Sequence, residues 1–113
     1  MGLRDQIKQA TTRKPLKVSV PEWGFDVYVR VLTVGERDAY ENLWLKHSKG
    51  GVKDFRSEYL CRVLCDENGQ RLYADSDVAE VAALDGSILA RVFDIAASHN
   101  KLTETDIREL AGE

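Results

Sequence analysis

The sequence has little of what small enzymes and disulfide-stabilised proteins rely on. Only two of its 113 residues are cysteines, Cys61 and Cys65. They lie four residues apart in a segment that is typical of a helix, and not in a C-x-x-C pair or a larger framework. We therefore expect two buried thiols in place of a disulfide or a redox site. A zinc site that adds His47 and His99 would need helix-spaced ligands, and we expect no bound metal.

The common catalytic motifs are missing as well. The sequence contains no Gly-rich phosphate loop, no GxSxG elbow and no HExxH pair. Residues 66–69, Asp-Glu-Asn-Gly, lack the spacing of a calcium loop, and Asn-Gly is turn chemistry in its own right. We predict that the protein is not an enzyme and uses no cofactor.

Long apolar segments are also absent. No run approaches the ~18 apolar residues that cross a bilayer, and the charged start MGLRDQIKQ is unlike a secretory signal, so we expect no membrane association. The hydrophobic fraction of 43% and the charged fraction of 31% are those of an ordinary globular protein. The length predicts one domain. We divide it into a short helix and linker (1–15), a β-hairpin (16–32) and a helical part (33–113).

Charge is distributed unevenly along the chain. Residues 1–65 hold 12 Lys or Arg against 8 Asp or Glu, whereas residues 66–113 hold 4 against 11, for a net charge of −3. A chain with an acidic half and no dense basic stripe is a poor nucleic-acid binder, so we expect no nucleic-acid partner. Solvated helix faces explain the asymmetry most simply. Head-to-tail self-association and a partner with a basic face are the alternatives.

A β-hairpin with an aromatic turn is the clearest local pattern. Hydrophobic and polar residues alternate over 16–20 and again over 25–31, which is the period of a strand with one wet face. Pro21 has no N–H for a ladder, and Gly24 adopts positive φ without steric cost, so a turn separates the strands. We predict that the residues that contact a partner lie here: Pro21, Trp23, Gly24, Phe25 and Tyr28.

The two tryptophans have different expected roles. For Trp23, a contact anchor beside the turn and a ring folded back onto the core are equally compatible with the sequence. Trp44 falls on the apolar stripe of a predicted helix over 34–47, together with Tyr40, and we expect it in the core. Thr33 and Glu36 predict a capping box at the start of that helix.

The remaining segments are mostly helical by pattern. Further helices are predicted from about Leu3 to Ala10, from about Lys53 to Cys65, over a short segment from Val78 to Leu84, from Ser87 past Ala96, and after Thr103 as N-cap. An isolated two-stranded hairpin is marginal in water, so it must lie on the helices. The predicted fold class is α+β, a predominantly helical single domain with one N-terminal hairpin packed on helices.

Taken in order, several short segments resemble one protein family. The segments are Leu3–Ile7, Val20–Gly24 (VPEWG), Val27–Arg30 (VYVR), Leu32–Glu41, Leu64–Tyr73 and Leu102–Leu110. Together they resemble the tail assembly chaperones of long-tailed phages and prophages, and the likeness spans nearly the whole chain.

The resemblance implies a small protein of the host cytoplasm that is absent from the finished virion. Such proteins coat the tape measure protein and recruit the major tail tube protein around it. Many occur in two forms, the longer made by a programmed ribosomal frameshift, and a chain ending at Glu113 would be the short form.

The physical properties of the hairpin agree with that role. A tape measure protein exposes apolar helical stripes before the tube encloses them, and a hairpin with unpaired edges and an aromatic turn is suited to cover them. Two alternatives remain open. One is a head–tail connector or neck protein, which would be present in virions. The other is a small DNA-binding regulator, which would need a basic recognition helix.

Overall fold

The computed structural model describes residues 2–46 and 53–112, with only the backbone of residues 44–46. The predicted positions of His47, of the loop at 48–51 and of the Trp44 ring lie outside these described residues. The elements in chain order are α1 (Leu3–Thr11), β1 (Leu16–Val20), β2 (Phe25–Val29), α2 (Val34–Lys46), α3 (Phe55–Val63), β3 (Leu64–Cys65), a 3-10 turn (Asp75–Asp77), α4 (Val78–Ala82), α5 (Gly86–His99) and α6 (Glu104–Leu110). The predicted α+β class is confirmed.

The sheet has three strands, one more than the sequence predicted. The hairpin is confirmed, with Leu16 opposite Val29 and Val20 opposite Phe25. β2 also pairs with β3 on its other side, in the antiparallel order β1-β2-β3. The prediction of a helix through Cys65 is therefore wrong, because α3 ends at Val63 and the next residue is already extended.

The third strand changes the expectation about the hairpin's edges. Part of the β2 edge is covered, since the Arg30 N–H donates to the Val63 carbonyl at 2.9 Å and Tyr28 pairs with Cys65. The Leu72 N–H donates to the Leu64 carbonyl at 3.1 Å, which brings the segment after the 66–69 turn back alongside β3. The expectation of two unpaired hairpin edges is wrong. In the described parts of the chain β1 and β3 are the two edge strands, and beyond β3 the sheet continues with a single bridge between Cys65 and Arg71.

The core lies between the inner face of the sheet and helices α3 and α5. α5, the helix predicted from Ser87 past Ala96, buries an apolar stripe, and its Phe93 ring meets the Tyr59 ring of α3 edge-on with ring centroids 5.5 Å apart. Tyr59 in turn contacts Tyr40 of α2 at 5.1 Å between ring centroids. Both cysteines are buried and free, as predicted, although Cys65 is in a strand and not a helix.

The predicted helix starts are confirmed by their hydrogen bonds. The Thr33 N–H donates to the Glu36 carboxylate at 2.9 Å, and the Glu36 N–H donates to the Thr33 hydroxyl at 3.1 Å. Thr103 and Asp106 make the same two bonds at the start of α6. The Asp85 carboxylate accepts from the first backbone N–H groups of α5. The short helix α4 ends at Ala82, so the prediction that it includes Leu84 is wrong.

One buried side chain, which no sequence pattern indicated, attaches the base of the hairpin to α5. Asn100 follows the last residue of α5 and is 7% exposed. Its amide oxygen accepts from the Leu32 N–H at 2.8 Å, and its amide nitrogen donates to the Arg30 carbonyl at 3.1 Å. The end of β2 is therefore held against the C-terminus of α5, which fixes where the other end of the hairpin lies.

Candidate functional site

An apolar groove of about 360 Å³ lies between the hairpin turn, the segment after the 66–69 turn, and the first half of α5. Its lining residues are Trp23, Phe25, Val27, Leu64, Leu72, Tyr73, Leu84, Leu89 and Val92. All nine are hydrophobic. We call this surface the apolar groove, and its size is within the roughly 300–1,000 Å³ of typical ligand pockets.

Several large hydrophobic side chains that the fold leaves exposed meet at this groove. Phe25 is 60% exposed, Leu72 52% and Leu84 40%. Single exposed hydrophobic residues are normal on a protein surface, but a contiguous apolar patch marks an interaction site. Each of these three residues comes from a different part of the chain, so the cluster is a product of the tertiary fold.

Trp23 combines the two roles that the sequence left open. Its ring is half-buried and packs against the core cluster. It also stacks on the exposed Phe25 ring, with centroids 5.7 Å apart and planes 28° from parallel. The indole therefore forms a wall of the groove on one side and contacts the core on the other.

The backbone of the turn explains how the two rings come together. The Trp23 N–H and the Gly24 N–H both donate to the Val20 carbonyl, at 3.0 and 3.2 Å. Gly24 has φ of +76°, a conformation that costs a side-chain-bearing residue free energy. Gly24 thus allows the tight return that places Phe25 beside Trp23.

An ion pair attaches this turn to α5. The Arg91 guanidinium donates two hydrogen bonds to the two carboxylate oxygens of Glu22, both at 2.8 Å. This bidentate contact lowers the pKa of Glu22 to about 2 from its usual 4.5, so the carboxylate stays ionised. Both side chains are about half exposed, and the pair therefore orients the turn more than it stabilises the fold.

The structure divides the five predicted contact residues into three groups. Trp23 and Phe25 line the apolar groove. Pro21 and Gly24 are exposed and shape the turn without lining the groove. Tyr28 lies on the other face of the sheet from Phe25, because side chains alternate along a strand. Its pairing partner in β3 is Cys65. A partner contact of Tyr28 stays a prediction, but it belongs to a different surface.

Sequence reasoning missed most of the groove. Leu72 follows the 66–69 turn, and Leu84, which the sequence places in a short helix, follows the end of α4. Neither is among the predicted contact residues. Leu89 and Val92 lie in the helix that the sequence predicts from Ser87 past Ala96, and neither is among the predicted contact residues. The only local sequence feature of Leu72 and Leu84 is their position, just after a turn and just after a helix end, and it does not indicate that the two side chains meet.

The first helix forms a second exposed apolar surface. No residue of α1 is buried, and Leu3 and Ile7 are 71% and 56% exposed. These two residues are four apart and share one helix face with Ala10. We call Leu3, Ile7 and Ala10 the apolar face of α1.

Neither ligand clusters nor activated thiols are found in the parts of the chain that the structure describes. Over residues 2–46 and 53–112, no group of three or more His, Cys, Asp or Glu side chains is arranged to hold a metal ion. Burial raises the pKa of the Cys61 and Cys65 thiols, which keeps them protonated and poorly nucleophilic at neutral pH. Among the same described residues, no helix has the length and apolar character needed to span a membrane.

Comparisons with a solved structure and with a protein-family model each gave a match. The chain is similar to the solved structure of the bacteriophage HK97 tail assembly chaperone. The similar region covers 90% of this chain and 97% of that chain, with a TM-score of 0.58 and 21% sequence identity. At that identity the likeness concerns the fold. No curated protein sequence matches the chain. A family model described as phage tail assembly chaperone matches residues 4–111. Because this match spans nearly all of the sequence, the chain belongs to the phage tail assembly chaperone family.

Proposed function

We propose that this chaperone binds apolar helical segments of the tape measure protein in its apolar groove. The observation that carries the proposal is the convergence of Phe25, Leu72 and Leu84 on one fully hydrophobic groove. Membership of a tail assembly chaperone family supplies the biological setting. The wall formed by Trp23 is fixed by the core, so the groove exists before a partner arrives.

A helix is the form of partner that fits this surface best. The groove is open along one side and lined by side chains from three parts of the fold, so it accepts the row of anchors that an amphipathic helix presents at positions i, i+3 and i+4. Extended peptides usually bind by adding a strand to a free sheet edge. Here the groove is on the face of the sheet and not along its open β1 edge, so a partner that fills the groove does not add a strand.

The later steps of the proposed role concern the tail tube. We propose that the bound chaperone keeps the tape measure protein covered in the host cytoplasm and recruits major tail tube subunits. The growing tube then replaces the chaperone on the same apolar stripes, so the chaperone is absent from the finished virion. Family membership favours this role over a connector or neck protein and over a DNA-binding regulator. Mass spectrometry of purified virions tests it, because a connector would be present in fixed copy number.

The central experiment is capture of the tape measure protein from cells that co-express it with the tagged chaperone. We expect capture at low salt and again at about 1 M salt, because apolar burial is not screened while the Debye length falls to ~3 Å. Leu72→Ser and Phe25→Ser should each weaken capture about tenfold or more, since each removes an apolar anchor worth roughly 1.5–3 kcal/mol on full burial.

Val34→Ser is the matched control. Val34 is 81% exposed and lies at the start of α2, outside the apolar groove. We expect it to leave capture unchanged. Capture that disappears at about 1 M salt, or that is equally strong in the Leu72→Ser and Val34→Ser variants, contradicts binding through the groove. Absence of capture under both salt conditions contradicts the tape measure protein as partner.

A further inference from the structure

We propose that a second groove, at the base of the hairpin, binds an acidic amphipathic segment of a partner protein while the apolar groove holds the tape measure protein. This second groove has a volume of about 640 Å³ and lies between α1, residues 31–34 and residues 99–101. We call it the base groove. Binding of an acidic segment there is independent of the proposed function, and only the simultaneous occupancy of both grooves rests on it.

The base groove exposes large hydrophobic side chains from two parts of the chain. Ile7, on the apolar face of α1, is 56% exposed, and Val34, at the start of α2, is 81% exposed. Ala10, Val31 and Leu32 complete the hydrophobic part of the lining. Exposed apolar side chains gain most when a partner covers them. No residue of α1 is buried, and a nine-residue helix is marginal in water without tertiary support, so a partner helix packed along α1 would stabilise it.

The charge of the base groove selects the kind of partner. Arg13 and Lys101 are the charged residues of its described lining, both are exposed, and neither makes an ion pair with a described residue. Residues 2–15 as a whole carry four basic side chains against one acidic one. No Phe, Tyr or Trp is among the described lining residues, so a nucleic acid would lack such a ring to stack on. An amphipathic segment with acidic residues beside its apolar anchors matches this surface in both charge and polarity.

The backbone of Lys101 is a second, independent indication of binding. Lys101 follows the Asn100 cap of α5 with φ of +63°, a left-handed conformation in which helix ends favour glycine. Its N–H donates to the Ser98 carbonyl at 3.1 Å, so this conformation closes the end of the helix. A lysine here costs folding free energy that a glycine would not. Such strain is typical of ligand-binding positions, and the side chain of Lys101 lines the base groove.

The base groove is also held in shape before a partner arrives. The buried Asn100 amide bonds the backbone of Arg30 and Leu32. The Arg37 guanidinium donates to the Asn100 carbonyl at 2.8 Å, which attaches α2 to the same point. Because these contacts are already made, little ordering is needed on binding.

The two grooves lie at opposite ends of the hairpin. The apolar groove is formed at the turn after Val20, the last residue of β1, whereas the base groove adjoins α1 and the residues that precede β1. The five residues of β1 span about 16 Å, and no described residue lines both grooves. A partner in one groove therefore leaves the other open, and the chaperone connects the tape measure protein to a second protein.

Two designed helical peptides test the base groove without any tape measure protein. Each has about 18 residues and the same row of leucines, and the opposite face carries glutamates in the acidic peptide and lysines in the basic one. Fluorescence anisotropy measures their binding to the purified Leu72→Ser variant, whose apolar groove is impaired. We expect the acidic peptide to bind at least about tenfold more tightly at low salt, and to weaken at about 1 M salt. Equal affinity for the two peptides, or absence of binding, overturns the proposal.

Lys101→Gly separates a binding role from a structural one. Glycine relieves the left-handed conformation, so the free energy of unfolding should not fall, whereas the affinity for the acidic peptide should fall about two- to fivefold. Arg13→Gln should weaken the peptide to a similar extent. Arg108→Gln is the matched control, because it removes an equal charge from an exposed arginine of α6 and should leave the affinity unchanged. A Lys101→Gly variant that binds as the wild type does, or an equal loss in Arg108→Gln, overturns the proposal.

Two variants distinguish this proposal from the proposed function. Val34→Ser should weaken the acidic peptide about tenfold and leave tape measure capture unchanged, and Leu72→Ser should do the reverse. Peptide binding that depends on Leu72 and not on Val34 overturns the base groove. Peptide binding through Val34 and Lys101 together with absent tape measure capture overturns only the proposed function. A captured complex should also bind the acidic peptide, and release of the tape measure protein by the peptide overturns simultaneous occupancy.

Discussion

The hairpin is attached to α5 at both of its ends, but the two attachments differ in kind. At the base, the Asn100 amide is buried and bonds the backbone of Arg30 and Leu32. At the turn, the ion pair between Glu22 and Arg91 is about half exposed to solvent. Loss of the amide leaves partly buried backbone groups without their partner, whereas water readily replaces the partners of an exposed ion pair.

This difference separates the part of the hairpin that stabilises the fold from the part that is available for binding. Near the base, Val29 is fully buried, although Leu16 opposite it is 37% exposed. At the turn, Phe25 stays 60% exposed beside a half-buried Trp23. An exposed apolar side chain adds little to the free energy of unfolding, and it gains most when a partner covers it.

Replacement of Asn100 by alanine should have the largest effect on stability. The Asn100→Ala change leaves the Leu32 N–H and the Arg30 carbonyl without their partner, and we expect a loss of about 2–3 kcal/mol in the free energy of unfolding. Denaturant unfolding measures it. Ser98→Ala is the control, because Ser98 is an exposed residue in the last turn of the same helix. Equal stability of the two variants would mean that the buried amide does not fix the base.

Replacement of Trp23 by alanine should lower the free energy of unfolding less than Asn100→Ala does, and it should weaken capture of the tape measure protein. The ring is only half-buried, so we expect Trp23→Ala to lower the free energy of unfolding by about 1–2 kcal/mol, below the roughly 3–5 kcal/mol of a fully buried aromatic residue. Capture of the tape measure protein should fall about tenfold. If Trp23→Ala destabilises the protein more than Asn100→Ala does, the turn is part of the core and the contrast between the two ends is wrong.

Sequence reasoning identified the elements whose signals are local. The alternation around Pro21 predicted the hairpin, and the spacing of Thr33 and Glu36 predicted the start of α2. β3 was missed because a two-residue strand has no periodicity, and its extended backbone depends on pairing with β2. The role of Asn100 was missed for a similar reason, since its side-chain partners lie 68 and 70 positions earlier in the chain.

The same distinction applies to the apolar groove. Trp23 and Phe25, which line the groove, could be predicted as an aromatic pair at a turn because the sequence itself defines that turn. Leu72 and Leu84 could not, because only the tertiary fold determines which exposed hydrophobic residues meet. Tyr28 was grouped with Phe25 by proximity in sequence, and the alternation of side chains along β2 separates the two.

Loss of the ion pair at the turn should have the smallest effect on stability, but it should change the pKa of Glu22 clearly. Hydrogen bonding to Arg91 is the main cause of the low Glu22 pKa of about 2, so Arg91→Gln should raise that pKa toward its usual 4.5 in an NMR titration. The folded-state pKa is the lower one, so any stabilisation by the pair is complete above about pH 4.5 and is lost as the pH falls toward 2. At neutral pH we expect unfolding of Arg91→Gln to be indistinguishable from the wild type, because both partners are well exposed.

The functional effect of Arg91→Gln follows from geometry. Without the two hydrogen bonds to Glu22, the turn is no longer fixed against α5, and the groove wall that carries Trp23 and Phe25 loses its orientation. We expect weaker tape measure capture without a change in stability. Arg108→Gln is the control, since Arg108 is an exposed arginine of α6 without an ion pair to any described residue. If Arg91→Gln instead unfolds as easily as Asn100→Ala, the exposed pair stabilises the fold as much as the buried amide does, and the two ends of the hairpin are alike.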